Sequence, residues 1–516
     1  MKRLLFITIS LFTIVLATQA QVGDLPRSTP AEQGVKTQNV LDFINAINDV
    51  PETELHHVMI ARHGHVIAEM HPAPFSAQDA HTLYSESKTF ASMGVGIAID
   101  ENLLRLTDRV AAFFPDKLPD TISNNLAQMT VRDLLIMASG IKPDWFLRNL
   151  SNDWIKEWLS KPVNNKPGKI FDYDSLCTFM LSAIVQRVTG LTLLEYLNEK
   201  LFIPMHITEV DWEESPDGIS TGGWGLRLQA ESQLKMGLLL LGHGNWHGKQ
   251  LIPAEWIEDA IQPHIRYEWY KDTDAPTENN QGYGYQIWRC KWPTAFRADG
   301  AYGQFIVCVP ESDLVVVINM CTSHTHGHDV LGCIWDKLLP GMQESPLKAD
   351  RKTQHDLDVI CNNNTLIPTA TTQKSKRKLP ITLQLEENKH NLNSIVIDED
   401  NHIVLDYTNA PRETFTYGAL SYKKQDYRGP QWLRSQLEGM PPYSIKALPL
   451  NCGLKHNFEA STMFGWTDDD HAVIDIYYVN WISHTTITIN FADNTITILD
   501  NFNTDNPETI HFKCVS

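Results

Sequence analysis

Cysteine is scarce in this 516-residue sequence: eight residues are spread from Cys177 to Cys514, with no C-x-x-C pair. This spacing excludes a disulfide scaffold and a zinc ribbon, although one or two bridges in an oxidising compartment stay open. Basic residues are also few, because 62 acidic residues outnumber 43 basic ones and give a formal net charge of −19. The acidic balance argues against nucleic acid or an anionic membrane surface as the main partner.

Long hydrophobic runs are absent after the N-terminus. Residues 1–20 resemble a secretory signal peptide, with Lys2 and Arg3 before an apolar stretch at 4–16 and small residues at 17–20. No later run is long enough to cross a bilayer. We therefore expect an exported protein, periplasmic or secreted, without a membrane span.

Apolar patterning predicts a first domain at residues 21–343. Strands are expected at 57–61, 65–70, 306–309 and 314–320, at the two ends of this region. Strands at both ends with helices between them indicate one antiparallel sheet flanked by helices, an α/β (α+β) fold. The helices are expected at residues 40–47, 85–100, 129–140, 176–188, 231–241 and 328–339.

The composition changes at residues 344–380, which are polar, turn-rich and basic and are interpreted as a linker. Beyond them, short alternating strands are separated by turn residues. These strands predict a second, all-β domain at residues 381–516, either lipocalin-like or a β-sandwich.

Ser85 and Lys88 form the most informative motif, S-x-x-K, at the start of the predicted helix 85–100. Three residues make nearly one helical turn, so the hydroxyl and the amine share a face. A desolvated lysine with a lowered pKa can take the proton of a serine and make it nucleophilic. The alternative is an exposed helix start with Ser85 as its cap.

Two further segments could complete a site of this kind. Tyr173 and Ser175 follow a Pro-Gly turn, and two residues apart in extended backbone they point to one side. Gly300 and Ala301 lead into the strand at 306–309, where glycine would let a substrate approach the strand edge. Each segment alone is equally consistent with a structural tyrosine or a glycine-containing strand entry.

Taken in order, the three segments resemble the β-lactamase-related serine hydrolases, whose pattern is S-x-x-K, then Y-x-N or Y-x-S, then K-T-G or H-x-G. The resemblance implies a serine β-lactamase-like fold over roughly residues 28–340. It also implies an acyl-enzyme at Ser85, proton transfer by Lys88 and Tyr173, and an oxyanion held by the amides of Ser85 and Ala301. No metal or organic cofactor is implied. Segments that also fit lie at residues 103–108, 129–135, 222–228 and 282–285.

Two positions depart from the family pattern. Ser175 replaces the commoner asparagine, and Ala298 stands where lysine or histidine is usual. Arg297 should face away from Ala298 on a strand, which makes it a poor substitute for that cation. The loss disfavours substrates that are recognised through a carboxylate.

The expected function is an exported serine hydrolase acting on a small ester, amide or peptide-like substrate. Ser175, Gly300, Ala301 and Trp145 are the candidate substrate-binding or oxyanion residues. A β-lactamase or D-alanyl peptidase is the first alternative, and a catalytically weak binding or receptor protein on the same fold is the second. The natural substrate and the oligomeric state stay open.

Histidines and carboxylates outside this set suggest metal sites only weakly. The alternating histidines at 324–328 are expected to form a polar loop, and Asp468–Asp470 a hairpin turn. His56, His57, His63 and His65 are expected on the surface or on a strand face.

Overall fold

A computed structural model gives the fold of this chain. It describes residues 25–144, 147, 151–266, 277–323, 326–366, 370, 372, 376–408, 411–427, 458–500 and 508–515. The N-terminal segment interpreted as a signal peptide, Trp145 and Cys452 lie outside the described residues.

The first domain is built on one antiparallel sheet with the strand order β2-β1-β11-β10-β9-β8. The N-terminal hairpin pairs with the late strands through β1 and β11, which confirms the expected sheet from both ends of the domain. Its strands and the smaller pairings around it are β1 (Thr53–Arg62), β2 (His65–Met70), β3 (His81–Thr82), β4 (Val210–Trp212), β5 (Leu226–Leu228), β6 (Asn245–Trp246), β7 (Lys249–Gln250), β8 (Trp288–Arg289), β9 (Phe296–Gly300), β10 (Gln304–Val309) and β11 (Leu314–Thr322).

Helices cover both faces of this sheet, so the central strands are buried on each side. Along β11, Val315 and Val317 enter one core, and Val316 and Ile318 enter the other. The continuous apolar run of β11 follows from this double burial. The helices are α1 (Thr37–Asn48), α2 (Ser87–Asp100), α3 (Val110–Phe113), α4 (Asn124–Gln128), α5 (Val131–Leu135), α6 (Trp154–Leu159), α7 (Ser175–Thr189), α8 (Leu193–Leu197), α9 (Ala230–Leu241), α10 (Ala254–Ala260), α11 (Asp329–Cys333) and α12 (Arg351–Asn362).

Two predicted helices end earlier than expected. The helix expected to reach residue 140 stops at Leu135, because the chain turns at Met137, where φ is +56°. Its predicted start is confirmed, since Thr130 forms a capping box with Asp133. The last helix of the domain, expected to reach residue 339, is α-helical only to Cys333 and continues as a wider π turn.

The segment interpreted as a linker contains a helix, α12. Asp350 caps it by accepting hydrogen bonds from the amides of Lys352 and Thr353. Leu357 is buried in the same core as α1, so this part of the segment packs on the first domain. The helix was not predicted because the segment is polar overall. Its signals were a narrow apolar stripe and the capping aspartate before it.

The C-terminal domain is a barrel, which confirms the all-β prediction. Among its described residues, ten strands form one sheet of order β15-β14-β13-β12-β21-β20-β19-β18-β17-β16, and a parallel pairing of β15 with β17 closes it. The sheet therefore closes on itself instead of splitting into a sandwich. The strands are β12 (Ile381–Leu385), β13 (Leu392–Ile397), β14 (His402–Tyr407), β15 (Glu413–Ala419), β16 (Lys423–Tyr427), β17 (Phe458–Trp466), β18 (His471–Tyr478), β19 (His484–Asn490), β20 (Thr495–Asp500) and β21 (Glu508–Val515).

The barrel contacts the first domain through polar groups as well as through aromatic rings. The amide of Thr82 donates to the carbonyl of Asn480 at 3.0 Å, and Lys424 pairs with the buried Asp79. His484 lies 3.0 Å from Glu54, which is in β1. These contacts bring one end of the barrel to β3, the strand that leads to Ser85.

Within the described part of the chain, no single helix has both the length and the hydropathy needed to cross a bilayer. One bent pair, Ser175–Thr189 with Leu193–Phe202, passes such a test by length and composition alone. The seven cysteines among the described residues are free thiols.

Candidate active site

Ser85 lies in a 3₁₀ turn, Tyr84–Glu86, directly before α2. The sequence predicted it on the α-helix itself, which instead starts at Ser87. Ser87 is buried, donates to the carbonyl of Tyr84 at 2.6 Å and accepts from the amide of Leu226 at 3.2 Å. Ser87 is therefore committed to the backbone, whereas Ser85 is partly exposed.

Lys88 is buried on the first turn of α2 and reaches three oxygen acceptors. As an ammonium group, it donates to the hydroxyls of Ser85 and Ser175, both at 2.8 Å, and to the carbonyl of Gly223 at 2.6 Å. A neutral amine in the same place has two N–H donors and one lone pair. It can keep the bonds to Ser175 and Gly223 while it accepts the proton of Ser85.

The surroundings of Lys88 favour that neutral form. Burial lowers the pKa of the Lys88 amine to about 7, and the neighbouring Asp174, Cys177 and Asp299 oppose this shift. A buried ammonium group loses its hydration, and without a directly paired carboxylate this loss is not fully compensated, so its pKa falls. Lys88 is thus poised to accept and release a proton near neutral pH.

Gly223 makes the third contact of Lys88 possible because it has no side chain. A Cβ at this position would lie 2.5 Å from the carbonyl oxygen of Ser175 and 3.1 Å from its Cβ. The close approach places the Gly223 carbonyl and the Ser175 hydroxyl around one amine. Sequence reasoning missed this role, although the segment 222–228 was among those that fit the family resemblance.

Tyr173 stands beside the Ser85–Lys88 pair. The Lys88 Nζ atom lies 4.9 Å from the centroid of its ring, and its hydroxyl interacts with that of Ser85. The ring also packs at 5.7 Å from Trp288 and 6.2 Å from Tyr283. Burial raises the pKa of the phenol above its ordinary value, and the Ser85 interaction opposes that rise. The phenol therefore stays protonated near neutral pH and can donate.

The end of β9 lies against the turn that carries Ser85. A Cβ on Gly300 would approach the carbonyl oxygen of Leu83 to 2.2 Å, so only glycine fits there. Ala301 follows directly and is partly exposed, as is Ser85. The hydrogen bond from the Glu86 amide to the Leu83 carbonyl closes the 3₁₀ turn, and the Ser85 amide precedes it. The segments that carry Ser85 and Ala301 therefore adjoin, and their backbone N–H groups are the candidates for an oxyanion site.

Arg297 is a poor substitute for the cation missing at Ala298, although its charge opposes the rise in the pKa of Tyr173. Ala298 is buried in the core on the α2 side, whereas Arg297 is turned to the other face of β9. The Arg297 guanidinium donates to Asp299 at 2.7 Å and to the carbonyls of Glu278 and Arg289, both at 3.1 Å. These bonds leave the buried guanidinium fixed in the protein.

A buried carboxyl group below the nucleophile was not expected from the sequence. The Glu86 side chain is fully buried, and burial raises the pKa of its carboxyl well above the ordinary value, with the charge of Asp299 adding to the effect. Burial therefore favours the neutral form of the Glu86 carboxyl. A 3₁₀ turn is too short to show a repeating pattern of buried and exposed residues, so the sequence gives no signal that the Glu86 side chain is buried.

The histidine expectations hold only in part. His63 and His65 are partly or fully exposed, but His56 and His57 are completely buried in β1. His56 is 2.9 Å from His81, and burial lowers the pKa of both imidazoles. Among the described residues, no group of three or more histidines, cysteines or carboxylates is arranged to hold a metal ion.

Comparisons with known proteins agree with this architecture. The family model described as Beta-lactamase matches residues 55–332, more than half of the chain. A 6-aminohexanoate-dimer hydrolase of Paenarthrobacter ureafaciens is 24% identical over 339 residues, which cover 60% of this chain and 86% of that protein. Protein flp of Staphylococcus aureus is 23% identical over 159 residues, 30% of this chain and 32% of its own length.

A solved structure shares the fold of the first domain. It comes from a Bacteroides dorei DSM 17855 protein assigned as a beta-lactamase. The likeness has a TM-score of 0.50 at 14% sequence identity, and it covers 59% of this chain and 99% of the other.

Proposed function

The chain belongs to the beta-lactamase family, and from this premise we propose that it hydrolyses an ester or amide through an acyl intermediate on Ser85. The observation that carries the proposal is the Lys88 amine, held 2.8 Å from the Ser85 hydroxyl with a pKa lowered to about 7. A serine with such a neighbour is an activated nucleophile. Residues 1–20 support the further proposal that the protein acts outside the cytoplasm.

The proposed acylation begins when the Ser85 Oγ attacks the carbonyl carbon and its proton moves to the Lys88 amine. The carbonyl oxygen becomes an oxyanion, which receives hydrogen bonds from the amides of Ser85 and Ala301. The bond to the leaving oxygen or nitrogen then breaks. Tyr173 donates a proton to the leaving atom and regains one from the Lys88 ammonium, which returns to its neutral form.

Deacylation repeats these transfers with water. A water molecule attacks the acyl carbon, its proton moves to Lys88, and the C–O bond to Ser85 breaks. The Ser85 oxygen takes the proton back, and the product leaves as a carboxylic acid. Each residue ends in the protonation state in which it began.

The substrate is proposed to be recognised without a carboxylate-binding cation. Ala298 offers no charge, and Arg297 is committed to Asp299 and backbone carbonyls. A charge-assisted hydrogen bond contributes about 1.5–3 kcal/mol, so its loss weakens carboxylate recognition by roughly ten- to hundredfold. We therefore favour neutral esters and amides over β-lactams and D-alanyl peptides.

A substrate panel tests this proposal. We expect kcat/KM for short nitrophenyl esters to exceed that for nitrocefin by at least about tenfold, because only the latter depends on a carboxylate contact. Ser85→Ala should abolish turnover of both, while its unfolding temperature shows that the variant folds. Faster nitrocefin turnover would contradict the substrate class, and a folded wild type without any turnover would favour a binding protein.

A further inference from the structure

A series of aromatic contacts connects the barrel to both candidate oxyanion amides. Tyr84 directly precedes Ser85, and Tyr302 directly follows Ala301. The ring centroids of Tyr84 and Tyr302 are 5.4 Å apart, and that of Tyr84 is 5.8 Å from Trp481 of the barrel. Both contacts have the edge-on geometry that aromatic pairs favour.

The two tyrosines have an unusual backbone conformation. φ is +46° at Tyr84 and +63° at Tyr302, in the left-handed region that residues with a Cβ disfavour. Bulky residues stay in this region only where the surrounding structure imposes it. The Ser85 amide belongs to the peptide unit that follows Tyr84, and Ala301 is bonded directly to Tyr302, so a shift of either tyrosine backbone would move the neighbouring candidate amide. The contact between the two rings can therefore hold the candidate oxyanion amides in place.

The barrel contacts the segment that carries Tyr84. The turn between β18 and β19 carries Asn480, whose carbonyl accepts from Thr82 and whose side chain donates to the Ala80 carbonyl at 2.9 Å. Trp481 is the next residue, only 7% exposed and packed at 5.7 Å from Phe458. Through Asn480, the barrel thus forms hydrogen bonds at β3, the strand that leads to Tyr84. Through Trp481, it packs on the Tyr84 ring.

We propose that the barrel completes the oxyanion site: Trp481 holds Tyr84 against Tyr302, and this contact fixes the amides of Ser85 and Ala301. Trp481 is then a positioning residue, because it acts through Tyr84 and does not touch the reacting atoms. This inference rests on the acyl-serine function proposed above. It gives the C-terminal domain an indirect part in catalysis, through the position of the two amides.

The test measures how fast a fluorophosphonate probe labels Ser85, together with kcat and KM for nitrophenyl acetate. Trp481→Ala should slow labelling and lower kcat by roughly ten- to hundredfold, with a much smaller change in KM, because a displaced oxyanion donor weakens the transition state. Trp481→Phe keeps a ring against Tyr84 and should retain most of the rate. Trp466→Ala is the matched control, since Trp466 is equally buried in the barrel but packs on Phe464 and Phe491.

A double-mutant cycle tests whether Trp481 acts through Tyr84. Glycine adopts positive φ freely, so Tyr84→Gly removes the ring and leaves the backbone conformation accessible. The variant with both Tyr84→Gly and Trp481→Ala should label no more slowly than Tyr84→Gly alone. Effects that multiply would overturn the proposal. Should Trp481→Ala not fold, Tyr302→Gly leaves the barrel intact and must still slow labelling, and an unchanged rate would overturn the proposal.

The outcomes separate this inference from the function on which it rests. If wild type is labelled at Ser85 and Trp481→Ala is labelled equally fast, only the role of the barrel is wrong. Equal losses in Trp481→Ala and Trp466→Ala would assign the effect to barrel stability and also overturn the role. A wild type without labelling at Ser85 would overturn both proposals.

Discussion

Replacing Lys88 with methionine is expected to lower kcat/KM for nitrophenyl esters by about 10²- to 10⁴-fold, the range of general acid–base catalysis. Methionine fills nearly the same volume but cannot accept the Ser85 proton. The hydroxyls of Ser85 and Ser175 and the carbonyl of Gly223 would all lose their contact with the amine. The loss should fall mainly on kcat, because the Lys88 side chain is only 1% exposed and offers little surface for binding a substrate.

The pH dependence of the wild type provides a second readout of the same residue. Only the neutral amine accepts a proton, and its pKa is lowered to about 7. Acylation should therefore rise about tenfold per pH unit below 7 and level off above it. The measurement is kcat/KM for an ester from pH 5 to 9, and Lys88→Met should lose this rise.

Lys235 provides a matched control for both measurements. It is a buried lysine on α9 whose Nζ atom donates to the carbonyls of Met205 and His206, both at 3.3 Å. Lys235→Met should keep the pH profile and a kcat/KM near that of wild type. A Lys88→Met variant as active as Lys235→Met would contradict the assignment of Lys88 as the base.

Replacing Tyr173 with phenylalanine is expected to lower kcat/KM by roughly 10²- to 10³-fold for substrates with poor leaving groups. The ring contacts with Trp288, Tyr283 and Phe171 are retained, so the fold should be unaffected. Only the hydroxyl near Ser85 is lost. Because burial raises the pKa of this phenol, we expect the residue to act as a proton donor and not as a phenolate base.

The leaving group distinguishes that role from a structural one. A nitrophenolate leaves without protonation, whereas an alkoxide or an amine needs a proton as it departs. Tyr173→Phe should therefore harm alkyl esters and amides far more than nitrophenyl esters. Equal losses across a series of leaving-group pKa values would contradict proton donation by Tyr173.

The sequence predicted the parts of the site that depend on local spacing. Ser85 and Lys88 are three residues apart, so almost any helical turn brings them together. The capping box at Thr130 and the left-handed Gly190 at the end of α7 could likewise be predicted from residue type. Local rules sufficed in each case because the partners are neighbours along the chain.

Contacts that depend on tertiary packing could not be predicted. The Gly223 carbonyl reaches Lys88 from 135 positions away. Trp481 reaches Tyr84 from another domain. Nothing in the pattern around these residues specifies their partners, since aromatic and glycine positions serve packing in many folds. The burial of His56 and His57 was missed for the same reason, because the barrel covers that part of β1.

Intact-mass analysis after fluorophosphonate treatment tests the central claim most directly, because it reports the nucleophile without knowledge of the substrate. We predict one adduct per chain, formed with loss of fluoride, located on Ser85 by peptide mapping and absent from Ser85→Ala. An adduct on another residue, or no adduct on a folded protein, would contradict an acyl-serine mechanism at Ser85.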